Sequence, residues 1–118
     1  MQGKAVILFA HGSRDPLWRQ PVEAVAARLI ARGVQARCAY LELNSPDLPT
    51  CAAELAGGAA QAITIVPMFL GTGKHAREDL PLLVAQLRDD HPGVSFQLQQ
   101  AVGEDARVLD LLAMIALE

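Results

Sequence analysis

Aromatic residues make up only 4% of this 118-residue chain: three Phe, one Tyr and one Trp. Rings on which unpaired bases could stack are therefore scarce, and 10 basic against 13 acidic residues give a net charge of -3 rather than a basic stripe. Together these argue against a nucleic-acid surface. Cysteine is equally sparse. Cys38 and Cys51 stand outside any C-x-x-C spacing, define neither a zinc nor an iron–sulfur site, and read as small buried thiols on a strand and a helix. No apolar run is long enough to cross a bilayer, and the first one is interrupted by His11 and Arg14, which suits neither a signal peptide nor an anchor. A cytoplasmic protein is expected. A P-loop, a dinucleotide fingerprint and a G-x-S-x-G elbow are all missing, so no nucleotide is expected and an α/β-hydrolase is disfavoured.

What the chain does have is apolar content, 52%, enough for one domain over 1–118 burying about two thirds of its unfolded surface. Lys4–Ala10 is an unbroken apolar run of strand length, and "AITIVPM" over Ala62–Met68 is a second, rich in β-branched residues. Unbroken rather than alternating apolarity means that both faces are covered, as in a parallel sheet. Between these runs, Val22, Val25, Ala26 and Leu29 repeat at helical spacing and stop at Gly33. Val34–Tyr40 reads as a shorter strand, and a short helix is expected from near Asp47 to before Gly57. Beyond the third strand come a helix from about Glu78 to Asp90, a strand over Val94–Leu98 and a final helix over Asp105–Leu117. Four strand–helix units require right-handed crossovers, hence an α/β three-layer fold with a four-stranded parallel sheet in the order 2-1-3-4.

In that order the switch point lies between strands 1 and 3, and ligands bind outside the carboxyl ends of the strands there. His11 ends strand 1, His75 follows strand 3 and Glu42 follows strand 2. Two imidazoles and a carboxylate at one sheet edge make a three-ligand set that leaves coordination positions open. Each also has a plain structural alternative: His11, with Gly12 and Ser13, as turn and helix-cap chemistry, Glu42 as a solvated loop charge, His75 as a surface histidine at a helix start. His91, at a helix end before Pro-Gly, reads as a favourable C-terminal group. Around His75, Gly71-Thr72-Gly73 supplies flexible backbone whose amides could receive an anion. Arg14, Lys74 and Arg77 add positive charge, and Phe69 and Leu70 an apolar surface. Ser13, Arg14, Phe69, Thr72, Gly73, Lys74 and Arg77 are thus candidate contacts to a flat apolar ligand edged with carboxylates. Phosphoryl transfer on His11 is the weaker rival, because Ala10 stands where a histidine phosphatase has its arginine.

"FAHGSRDP", "YLEL" and "VPMFLGTGKHAREDLP" together resemble the short, single-domain form of the sirohydrochlorin cobaltochelatase family, CbiX-like and related to sirohydrochlorin ferrochelatase. The resemblance runs from the first strand through the third helix. It implies a metal-binding and catalytic set of His11, His75 and Glu42, insertion of a divalent ion (cobalt, with nickel or ferrous iron as alternatives) into sirohydrochlorin without ATP or a permanent cofactor, and a homodimer that mimics the two halves of longer chelatases. A metal or tetrapyrrole carrier using the same ligands is the alternative. The histidine-rich segment and second domain of longer members are lacking, so no metal-storage role is implied, and the Gly71–Gly73 loop is richer in glycine than in some relatives.

Overall fold

Nothing polar interrupts the run from Ala5 to Ala10, and in the computed structural model, which describes residues 3–118, Ile7, Leu8, Phe9 and Ala10 are all at most 2% exposed. That run is β1 (Lys4–Ala10), and the chain continues through α1 (Gln20–Ala31), β2 (Gln35–Tyr40), α2 (Leu48–Ala56), β3 (Ala62–Pro67), α3 (Lys74–Asp90), β4 (Ser95–Leu98), a 3-10 turn (Val102–Glu104) and α4 (Ala106–Ala116). The sheet is parallel throughout, in the order β2-β1-β3-β4 that the strand–helix alternation predicts. β1 lies between its neighbours with Phe9 opposite Ala39 on one side and Pro67 on the other.

Successive side chains of a strand point to opposite faces, and the two faces carry separate cores. On one, Ile7, Phe9, Ile63, Ile65 and Phe96 pack against Leu48, Cys51 and Leu55 of α2 and Leu80, Val84 and Leu87 of α3. On the other, Leu8, Ala10, Ala36 and Tyr40 pack against Val22 and Ala26 of α1. No residue of α4 is buried.

Four boundaries shift. α3 begins at Lys74, not near Glu78, because the extended backbone of Gly73 (φ -64, ψ 159) leads straight into a first turn in which the Arg77 N–H donates to the Gly73 carbonyl at 3.0 Å. The Lys-His-Ala-Arg stretch reads as loop by its charge, yet none of the four resists helix. Pro81 then sits inside α3 and merely leaves one carbonyl without a donor. The 3-10 turn before α4 carries no sequence signal of its own. The strand boundaries move by a single residue, β2 starting at Gln35, β3 ending at Pro67 and β4 starting at Ser95.

Candidate functional site

Parallel pairing continues beyond the strand ends, and this builds the site. The Leu41 N–H donates to the Ala10 carbonyl at 2.9 Å and the Glu42 N–H to the His11 carbonyl at 3.0 Å, while on the other side the Met68 N–H donates to the Phe9 carbonyl at 2.7 Å. His11 is therefore backbone-bonded to Glu42, and its ring lies 4.5 Å from that of Phe69, tilted by 35°. The expected neighbourhood of the first two candidate ligands is what the register produces.

Gly12 makes this possible. It has φ +101, and a Cβ there would collide with the carbonyl of Glu42, so only glycine lets the two loops approach. Asn44 completes the junction: its Oδ1 accepts the Ser13 N–H at 2.8 Å. The Ser13 Oγ accepts the Asp15 N–H at 3.0 Å, and the Asp15 Oδ1 accepts the Leu17 N–H at 2.9 Å, a chain of side-chain-to-backbone turns that leads towards α1. Ser13 thus serves the turn with its oxygen lone pair.

Phe69 does not offer the apolar surface expected of it. It is 3% exposed, with an edge-on contact to Phe9 at 6.1 Å, so it supports the His11 ring from beneath while Leu70, 69% exposed, faces solvent. The reason is alternation: Phe69 continues the inward set of Ile65 and Pro67 one step past the strand. Its position is locked from the far side, since the Gly103 N–H donates to the Phe69 carbonyl at 2.9 Å and a Cβ at Gly103 would collide with the Leu70 carbonyl.

His75 stands in the first turn of α3, exposed, with Lys74 and Arg77 beside it and no acidic residue in that turn. Gly73, the N-cap, offers no side chain to the free amides, so the helix end and both cations present positive potential at the same edge. Arg14 is exposed too. Thr72 and Arg77 line a groove of about 270 Å³ with Pro81, Gln100 and Glu104. Glu42 and Asn44 line another of about 650 Å³.

The topology places His11, Glu42 and His75 at one edge, but among the described residues no three His, Cys, Asp or Glu side chains are gathered as a metal-holding group. All three are exposed, so packing does not hold them in one coordination geometry. Asn44 and Gly103 are the site-building residues that the sequence left unnoticed, while Gly12 was read only as turn chemistry. Of these, Asn44 carried a signal, an Asx-type residue two positions after Glu42 in a turn-rich "NSPD".

The thiols keep the structural part expected of them. Burial pushes the Cys51 pKa up to about 11 and also raises that of Cys38, which shares a hydrogen bond with Tyr40; burial likewise raises Tyr40 to about 12. None is an activated nucleophile or a ready thiolate ligand at neutral pH.

The CbiX family model matches residues 5–116. A sirohydrochlorin cobaltochelatase of Sulfurisphaera tokodaii is 27% identical over 108 residues, which cover 91% of this chain and 86% of that protein. Among solved structures, a CbiX protein from Marinobacter aquaeolei VT8 superposes with a TM-score of 0.83 at 32% identity, covering 96% of this chain and 93% of the other. The sirohydrochlorin chelatase SirB from Bacillus subtilis subspecies spizizenii, in complex with cobalt, matches with a TM-score of 0.78 at 25% identity; 94% of this chain covers 48% of that one.

Proposed function

The chain belongs to the CbiX family, and from this premise we propose that it inserts a divalent metal ion, cobalt in the first instance, into sirohydrochlorin or a related tetrapyrrole on the way to cobalamin or a similar product. The observation that carries the reading is the bond from the Glu42 N–H to the His11 carbonyl at 3.0 Å. It fixes a carboxylate-bearing and an imidazole-bearing residue side by side outside the carboxyl ends of β1 and β2, next to the β1–β3 switch point at which α/β proteins take their ligands.

Insertion exchanges the ion's water for ring nitrogens and releases the two pyrrole N–H protons. The protein's part is to deliver a partly dehydrated ion and to take those protons. His11, His75 and Glu42 supply nitrogen and oxygen donors suited to cobalt, nickel or ferrous iron, and imidazole is the side chain that most readily accepts a proton near neutral pH. An exposed, loosely assembled donor set fits an ion that must leave again, where four thiolates would retain it. Arg14, Lys74, Arg77 and the amides at the start of α3 face the acidic rim of the macrocycle, whose carboxylates an arginine grips with two bonds. The ring lies across an open edge, which suits a flat substrate of this size. We also propose that two copies work together: one chain spans 48% of SirB, so two equal its length.

The test is an anaerobic absorbance time course with excess sirohydrochlorin and cobalt beside a protein-free control. Multiple turnovers above the spontaneous rate are expected, and His11→Ala or His75→Ala should each fall to that rate with an unchanged far-UV circular dichroism spectrum. Full activity in either variant would remove that residue from the mechanism. Binding of ring and ion without turnover by the native protein would make it a carrier.

A further inference from the structure

Among the described residues a single one other than glycine has its backbone in the left-handed region: Leu43, at φ 67. The Asn44 N–H donates to the Glu42 carbonyl at 2.8 Å, so residues 42–44 close a three-residue turn with Leu43 at its centre. A positive φ at that centre marks the rare, strained hand of the γ-turn. Glycine or asparagine would hold the conformation at lower cost, whereas a bulky side chain there is a genuine outlier. Such strain persists only where the surroundings over-determine it, and it gathers at functional sites.

Both ends of this turn are held from outside it. Glu42 is bonded through its N–H to the His11 carbonyl, and its own carbonyl lies against Gly12. Asn44 accepts the Ser13 N–H, and from Ser13 the bonds pass to Asp15 and on to Leu17. The loops that carry His11 and Glu42 are thus one hydrogen-bonded unit, and what this unit leaves in the open is apolar: Leu17 is 65%, Leu41 44% and Leu43 55% exposed. Exposed leucines scattered singly mean little, but Leu41 and Leu43 flank Glu42 directly. Arg14, Lys74 and Arg77 are exposed in the loops and helix start at the same sheet edge. Apolar contacts beside metal donors, with cations further out, match the build of a macrocycle: a flat apolar body, chelating nitrogens at its centre and carboxylates at its rim.

We infer that Leu43 positions the substrate: its side chain, with Leu41, is the seat on which one face of the macrocycle rests, and its strained turn holds that seat and Glu42 in a fixed relation. The inference rests on the chelatase reading and adds to it a residue that meets the ring rather than the ion. A leucine at the centre of the turn confines the backbone to a narrow well, where glycine would leave it free to move. The seated ring displaces water from beside Glu42, where the ion exchanges its own water for ring nitrogens.

Three substitutions in the full chain separate the side chain from the turn. Leu43→Ala removes the contact but keeps a Cβ. It should weaken binding of metal-free sirohydrochlorin roughly tenfold, read as quenching of emission from Trp18, the chain's one tryptophan, and should raise KM for the ring by more than it lowers kcat. Leu43→Gly also frees the turn: it should bind the ring as weakly and lower kcat further, yet melt at a higher temperature than Leu43→Ala, because no Cβ is left to strain at positive φ. Leu43→Met, which keeps an apolar side chain, should restore ring affinity. Native ring affinity in the alanine and glycine variants, a kcat for Leu43→Gly equal to that of Leu43→Ala, or a lower melting temperature for glycine than for alanine would each overturn the inference. Cobalt insertion by the native protein is read alongside: turnover with Leu43 variants indistinguishable from native refutes the seat and spares the chelatase reading, whereas ring binding that depends on Leu43 without turnover does the reverse.

Discussion

At the scale of a residue, one added methyl group decides whether the His11 and Glu42 loops can meet. Gly12 and Gly33 both have positive φ, +101 and +83, but an added Cβ strikes the Glu42 carbonyl at Gly12 and meets nothing within 4 Å at Gly33. Gly33→Ala should therefore cost only the backbone term, about 1–2 kcal/mol, and leave metal insertion unchanged. Gly12→Ala adds a backbone collision, should cost at least about 1 kcal/mol more, and should lower insertion by displacing Glu42. Urea titrations of both variants with parallel activity assays check this, and equal costs would mean that the loops move apart freely. The placement of His11, Glu42 and His75 at one sheet edge could be read from the sequence because strand ends and a switch point are local signals combined with a topology rule. The support of His11 by Phe69, the Asn44 bond to Ser13 and the need for Gly103 could not, because each depends on contact between loops far apart in the chain.

At the scale of an element, helix starts separate into capped and uncapped. Asp47 accepts the Thr50 N–H at 2.9 Å and Asp105 accepts the Arg107 N–H at 2.8 Å, and both helices begin where their aspartates predict. α3, capped by glycine, begins earlier than its pattern predicts, and its first amides receive no side-chain cap. The Thr50 hydrogen bonds hold the Asp47 carboxyl below the usual carboxylate range. A carboxyl with a lowered folded pKa contributes stability above its unfolded value, and that contribution is lost as pH falls through the folded one. Asp47→Ala should accordingly lower the melting temperature at neutral pH, with the gap from the native protein closing below about pH 4. A gap that persists undiminished in acid would show that the carboxylate is not what stabilises the start of α2. Asp105, which Arg107 pulls down to about 2, should hold its cap to still lower pH.

At the scale of the whole molecule, the strand order was legible because apolar runs, crossover handedness and helix lengths leave few alternatives. The exposure of α4 was not, because its apolar residues read as those of a packed helix, yet none of them is buried. The asymmetry of β3 carries a stability prediction. Ile65, 0% exposed beneath α2 and α3, is fully buried, so Ile65→Ala should cost about 2–5 kcal/mol. Val66, partly buried and packed against the α1-side cluster, loses less, and Val66→Ala should cost about 1–2 kcal/mol. Urea unfolding of both variants checks the ranking, and a Val66→Ala cost equal to that of Ile65→Ala would mean that the α1 side of β3 is closed as tightly as the other.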